Sequence, residues 1–333
     1  MKRFFTILFI FISSINFVGA QESSDLYEKA LSHFDNKEYQ EALQIFRDLP
    51  ATFNRKEDFN YYYGITLVKQ RQSYKEAAEK LGKALNRRAH RDARYYRGIA
   101  FQHSYEFEKA IEEFSKFLDY ASNEDPRREK AERAIEDCKS GDQMINKHFD
   151  IQTLRKDTVP KEQLLSAYAL PEEAGTLSHN RSFFKTGVPP ENIMYRTEKE
   201  NEVFFVLEEA DTTIHDIYKM ERLLDSWSDS KNLGRPVNSD YDDRTPFLMT
   251  DGTTFLFSSD RPGGMGGLDI YQSIYDSESN TFSEPENLGP PFSSPADDYL
   301  FAADPFSEKA WFSTNRGVEP GKVVVATITW DNS

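Results

Sequence analysis

The sequence predicts an α + β multidomain protein. An N-terminal α-solenoid of paired helices is followed by an all-β array of small, propeller-like sheets. Three observations predict it. Aromatic and small residues recur at a spacing of 34 between about residues 24 and 120. A second motif recurs at an offset of 55 between Asn232 and Arg316. The charge balance also changes near residue 150: the residues before it hold 25 basic and 25 acidic side chains, those after it 16 and 31. The expected organisation is a signal peptide over 1–20, a helical domain over 21–148, a connector over 149–179 and β repeats over 180–333.

The first element is a targeting segment. Lys2 and Arg3 precede an apolar run from Phe4 to Ile12, broken only by Thr6, and Val18-Gly19-Ala20 offers small residues for cleavage after Ala20. That is the pattern of a secretory signal peptide. The run is short of the ~20 residues that span a bilayer. No cysteine follows the cleavage site, so lipidation is not expected. The mature chain is expected to be exported and to have no membrane span.

The helical repeat comes next. Tyr27, Tyr61 and Tyr95 stand 34 apart, as do Ala30, Gly64 and Gly98. Each small residue is followed by an aromatic (Tyr39, Tyr74, Phe107), then Ala (42, 77, 110), then a large apolar residue (Phe46, Leu81, Phe114). The second copy has one extra residue in its turn. Small residues let two amphipathic helices approach closely, and aromatics fill the space between pairs. No pair can bury its apolar face alone, so stacking is obligatory. A polar helix over about 126–143, rich in Arg, Glu and Lys, reads as a terminal cap, and Cys138 within it reads as inert.

This spacing resembles the tetratricopeptide repeat family over about 100 residues. Asn60, Arg94 and Lys29 stand where that family has Trp or Leu, and Pro50 is the one proline that ends a repeat. The resemblance implies a concave surface that grips a peptide or protein partner, with Tyr27, Tyr61 and Tyr95 as candidate lining residues. The alternative is that these tyrosines only pack between helices.

The connector has no period. Pro160, Pro171 and Gly175 punctuate it, and residues 161–169 suit a short helix. Beyond it, Asn232-Leu233-Gly234-Arg235-Pro236 matches Asn287-Leu288-Gly289-Pro290-Pro291, and Asp242-Asp243 matches Asp297-Asp298. Phe255–Arg261 matches Ala310–Arg316, and Asp216-Ile217-Tyr218 matches Asp269-Ile270-Tyr271. Strands are expected over Phe247–Thr250, Thr253–Ser258 and Leu268–Ile274, with an Asp251-Gly252 hairpin turn. Repeated small sheets suggest propeller blades. Three copies fall short of the roughly four blades that usually close a ring. The connector then supplies an irregular blade, the ring stays open, or a partner completes it.

Ser258–Ser273 resembles the WD-like propeller repeat of TolB-type proteins. The resemblance implies structural roles: Asp260 and Arg261 bond the turn, Asp269 ties the following strand to its neighbour, and Tyr271 belongs to the same motif.

Other motifs carry less. The run Gly263-Gly264-Met265-Gly266-Gly267-Leu268-Asp269 is close to a calcium-binding glycine–aspartate repeat, but it occurs once with an extra residue in its spacing, so a plain loop is favoured. Ser239–Asp243 lacks the spacing of a helix-loop-helix calcium site. Ser182-Phe183-Phe184-Lys185 and Lys185-Thr186-Gly187 would make one lysine serve two motifs and are dismissed. There is no nucleophile elbow, zinc helix or phosphate loop, and a propeller-containing peptidase would need a hydrolase domain after the blades. One cysteine excludes an internal disulfide, and no Lys/Arg stripe is present, so nucleic-acid binding is not expected. No enzyme activity, cofactor or metal is expected.

Exported chains that join these two arrays resemble envelope proteins of Bacteroidota-type bacteria, related to OmpA-family and type IX secretion components. The resemblance implies a non-catalytic scaffold in the periplasm or at the outer membrane, with envelope-protein partners, linked to secretion or gliding. Many such proteins continue into a peptidoglycan-binding domain, and this chain stops before one. The alternative is a protein that binds peptide, glycan or calcium at the blade mouths.

Overall fold

Lys37, Arg71 and Tyr105 stand 34 residues apart, and each takes the left-handed backbone conformation, with φ of 63, 55 and 60°. In the computed structural model they end the first helix of three successive pairs. Each turn is closed by the same long backbone bond: Glu38 N to His33 O, Gln72 N to Leu67 O, and Glu106 N to Phe101 O, at 2.9, 3.0 and 2.9 Å. This six-to-one bond occupies a carbonyl that the helix end would otherwise leave free. The 34-residue period of the sequence is therefore a period of the backbone.

The structure describes residues 21–86, 90–146, 149–185, 189, 191–208 and 212–330. The signal segment 1–20 and the Thr186-Gly187 pair lie outside the described residues. The chain forms two compact units, one up to Ala131 and one from Glu132.

The first unit is helical. It contains α1 (residues 21–35), α2 (Tyr39–Asp48), α3 (Glu57–Lys69), α4 (Tyr74–Ala84), α5 (Ala93–His103), α6 (Phe107–Leu118) and the start of α7 (Arg127–Met144). The extra residue of the second copy is Ser73, which takes φ 46° just before α4. The small residues sit where helices touch. A Cβ on Gly64 would lie 2.6 Å from Leu81 Cγ, and one on Gly98 would lie 2.6 Å from Phe114 Cε1. Ala30, Ala42, Ala77 and Ala110 are fully buried.

Polar side chains set among the helices find partners. Asn60, 1% exposed, donates to the Asn54 and Lys56 carbonyls. Arg94 and Arg97 both donate to the buried carboxylate of Glu113, at 2.9 and 2.8 Å.

The second unit contains three antiparallel sheets. The first has the order β2 (Thr176–His179), β3 (Ile193–Arg196), β4 (Glu202–Glu208), β5 (His215–Glu221), β6 (Lys231–Asn232). The second runs β10 (Thr281–Phe282), β9 (Asp269–Asp276), β8 (Thr254–Ser259), β7 (Asp243–Leu248), with β11 (Glu286–Asn287) also on β9. The third runs β1 (Thr153–Pro160), β14 (Lys322–Thr329), β13 (Lys309–Thr314), β12 (Asp298–Asp304). One core spans all three, with Tyr195, Phe247, Phe255, Phe257, Phe292 and Phe301 fully buried. Strands β4, β8 and β12 are buried on both faces over most of their length. That is why β4, β8 and β12 read as near-continuous apolar runs rather than alternating ones.

Three sequence expectations need revision. The stretch 149–179 is more than a connector: β1 within it pairs along its length with β14, Val159 opposite Val323, and supplies a strand to the third sheet. No closed ring of sheets occurs among the described residues. Residues 161–167 do form a short 3₁₀ helix. The polar helix α7 is not only a cap, because the division between units falls within it. Arg133 on α7 pairs with Asp260 of the sheet unit at 3.5 Å. Strand β7 starts earlier than expected, at Asp243, because a bulge at Arg244–Phe247 extends its pairing with β8. The Asp251-Gly252 turn is present, with Gly252 at φ 71° and Asp251 Oδ1 accepting the Thr253 and Thr254 amides.

Candidate functional site

In the helical unit, Tyr27, Tyr61 and Tyr95 all pack between helices. Tyr27 lies 5.4 Å from Phe53 and 6.3 Å from both Phe46 and Phe59. Its hydroxyl is buried without a hydrogen-bond partner. Tyr61 stacks on His90 at 4.3 Å and donates to Asp92 Oδ2 at 2.8 Å. Tyr95 packs on Phe117 at 5.3 Å. Burial holds each of their phenols above the ordinary tyrosine range.

Residue doublets add a second row that the reading of the sequence did not single out. Tyr62 and Tyr96, one residue after Tyr61 and Tyr95, are half-buried. Tyr62 meets Phe34 edge-on at 5.0 Å, and Lys69 Nζ lies 5.6 Å from the centre of the Tyr96 ring. Asp58 and Asp92 share the 34-residue spacing. Burial first, then Asp35, Asp58 and Asp92, raise the Tyr62 phenol. Phe34, Tyr62, Lys69 and Tyr96 thus form a partly exposed strip across α1, α3 and α5, with carboxylates beside Tyr62 and the cations Lys37, Lys130 and Arg127 toward Lys69 and Tyr96. The signal for it was the repeated Tyr-Tyr doublet.

In the sheet unit, the motif residues build turns. Arg261 donates to Asp243 Oδ1 at 2.7 Å and to the carbonyls of Pro236 and Val237. Fifty-five residues on, Arg316 donates to Asp298 Oδ1 at 2.7 Å and to the Pro291 carbonyl. Asp260 Oδ1 accepts the Asp242 amide, as Asn315 Oδ1 accepts that of Asp297. Tyr271 stacks on Phe257, with the Arg261 guanidinium 5.3 Å from its ring.

Asp269 opens β9 opposite Ser259 of β8, and its side-chain Oδ2 accepts the Met265 amide at 2.6 Å and folds the glycine loop back on itself. A Cβ on Gly264 would meet that carboxylate at 2.0 Å, so this loop position demands glycine. Burial, then Asp298, push the Asp269 carboxyl well above the usual range. No group of three or more metal-ligating side chains occurs among the described residues.

Cavities open among the described residues of the sheet unit. One, of about 150 Å³, lies between the first and second sheets, with Phe204, Tyr275 and Phe282 in its wall. Lys219 in its wall pairs with Glu202 and Glu221, Arg235 pairs with Asp240, and Lys231 also lines it. Another, of about 140 Å³, is lined by residues of all three sheets, among them Val206, Arg244 and Tyr299, and by Lys161 beyond β1.

No family model matches the chain, and no curated protein matches it.

Proposed function

We propose that the chain is a non-catalytic scaffold of the bacterial envelope. In this reading the helical unit is a tetratricopeptide-type array that holds an extended segment of one protein partner. The sheet unit is a set of WD-like blades that engages a second. The observation that carries the reading is the strip Phe34–Tyr62–Lys69–Tyr96. Its two tyrosines, Tyr62 and Tyr96, follow the 34-residue period of the helices, and the strip stays partly exposed and sets aromatic faces beside charged groups. Tyrosine supplies rigid, amphipathic contact area at low entropic cost, which suits a peptide groove. Asp35, Asp58 and Asp92 beside Tyr62 favour a basic side chain at that end of the segment and Lys69 an acidic one at the other, and such binding weakens as salt rises.

The test is capture of partners from an envelope fraction by the full-length chain. The Tyr62→Ala/Tyr96→Ala variant is compared with the parent, and bound proteins are identified by mass spectrometry. The expected result is loss of one set of partners and retention of another. An unchanged set from a folded double variant overturns the reading.

A further inference from the structure

We infer that the cavity where the three sheets converge is a binding site for a small carboxylate with a compact apolar body. The argument begins with an unsatisfied donor. Arg244 projects from β7, and its Nη2 donates to Asp242 Oδ2 at 3.0 Å and lies 2.9 Å from His215 Nδ1, which itself lies 2.9 Å from Asp242 Oδ1. Its Nε is buried and has no hydrogen-bond partner. A buried guanidinium donor left unpaired is costly, and the protein supplies no acceptor for it. Arg244 and Lys161 both line the cavity, so an anion held there would meet two cations.

The charge count points to a monoanion. Asp242 offsets Arg244, and Glu191 at the rim is held by Arg181 at 2.7 Å. Lys161 remains. Its ammonium lies 5.1 Å from the centre of the Tyr299 ring, and it makes no ion pair among the described residues. A carboxylate between Lys161 and Arg244 would meet two charge-assisted donors. Leu164, Ile193, Val206 and Leu268 give the wall its apolar part, beside the polar Asn192 and Thr245 and the Arg181-paired Glu191. At about 140 Å³ the cavity approaches the roughly 150 Å³ that holds a benzene ring.

The wall is also built with strain. Thr245, next to Arg244, is 8% exposed and has φ 49°. Left-handed backbone is unfavourable for a β-branched residue, and strain of this kind collects at ligand sites. Its counterpart 55 residues on, Leu300, lies in the equivalent bulge of β12 and is not among the residues with positive φ. The strain belongs to this wall and not to the repeat.

The experiment is calorimetric titration of the full-length chain with benzoate and with benzamide, which keeps the ring and loses the charge. Benzoate is expected to bind about tenfold or more tightly than benzamide, with a similar loss in Lys161→Gln and in Arg244→Gln. Leu268→Trp, which fills the wall, is expected to abolish binding. Lys161 and Leu268 stand clear of the Asp242 ion pair, so these two variants keep the test open if Arg244→Gln misfolds. A short peptide ending in phenylalanine, as free acid and as amide, identifies the source. Competition by the acid alone assigns the site to a chain terminus, and no competition assigns it to a free acid. The inference is overturned if benzoate and benzamide bind alike, if folded Lys161→Gln binds as the parent does, or if benzoate shows no binding up to roughly 10 mM.

Discussion

Arg261 donates to Asp243 at 2.7 Å, and the carboxylate it meets is fully buried. The arginine is itself 13% exposed, so little solvent screens the pair. Its counterpart, Arg316 on the fully buried Asp298, has the same length with an arginine that is 31% exposed. Each arginine also holds the carbonyls of the proline turn before its aspartate. The pair therefore couples a turn to a strand start within each repeat.

Truncating Arg261 is expected to be the costlier of the two changes. Removing one partner of a buried pair leaves an uncompensated charge and costs about 3–5 kcal/mol. Arg261→Met should fall in that range, and Arg316→Met below it. All three tryptophans, 227, 311 and 330, lie in the sheet unit. Urea unfolding followed by tryptophan fluorescence reports on that unit. Equal effects of the two substitutions would refute the ranking by burial.

Gly64 and Gly98 are expected to resist alanine. Helix propensity alone favours Gly→Ala by about 1 kcal/mol. Here the new methyl would meet Leu81 Cγ or Phe114 Cε1 at 2.6 Å. Overpacking of this kind costs about 1–3 kcal/mol. Gly98→Ala should be the worse, because a fully buried phenyl ring yields less than a leucine branch. Thermal melts followed by far-ultraviolet circular dichroism would show it. A gain in stability at either position would mean that the helices do not need their close approach.

These results show why some elements were legible in the sequence and others were not. The helical period was visible because a helix pair must place a small residue at each crossing, and Ala30, Gly64 and Gly98 mark it. The 55-residue period was visible because the Asp–Arg pairs and proline turns need fixed chemistry. Strand β1 was hidden. It lies at a sheet edge, mostly exposed, and pairs with a strand about 170 residues later, so neither alternation nor local turn residues announce it. The cavity was hidden for a similar reason. Lys161, Val206, Arg244 and Tyr299 come from separate segments, and no spacing links them. The double role of α7 was also hidden, since a charged helix reads as solvated until Arg133 is seen on Asp260.

Cys138 is expected to be unreactive in the folded chain. It is fully buried, and burial, then Asp137, push its thiol up to about 12. The thiolate is the nucleophile, and an ordinary thiol has a pKa of about 8.5. Iodoacetamide near pH 8 should therefore modify the native chain at least about a hundredfold more slowly than the urea-unfolded chain. Rapid stoichiometric labelling of the native chain would place this part of α7 in frequent opening.

Asp137 is expected to make the chain more stable in mild acid. Burial raises its carboxyl from 3.8 to about 6; Arg133 opposes the shift, while Asp260 and Glu136 add to it. A carboxyl whose folded pKa lies above its unfolded one binds its proton more tightly when folded. Stability then rises as pH falls from about 6 toward 3.8, and the cost of burying the ionised group is present in full above pH 6. Asp260 and Asp269 are also raised, mainly by burial, and act with the same sign. Asp125 acts oppositely, because Arg127 lowers it to about 2, but its contribution is lost only below about pH 3.8. Asp137→Asn removes one ionisation and keeps the shape. It should stabilise the chain at pH 7 by up to about 2–3 kcal/mol and flatten, without abolishing, the pH dependence between pH 4 and 6. Urea titrations at several pH values on parent and variant measure the difference. Parallel curves would mean that Asp137 meets solvent in the folded chain.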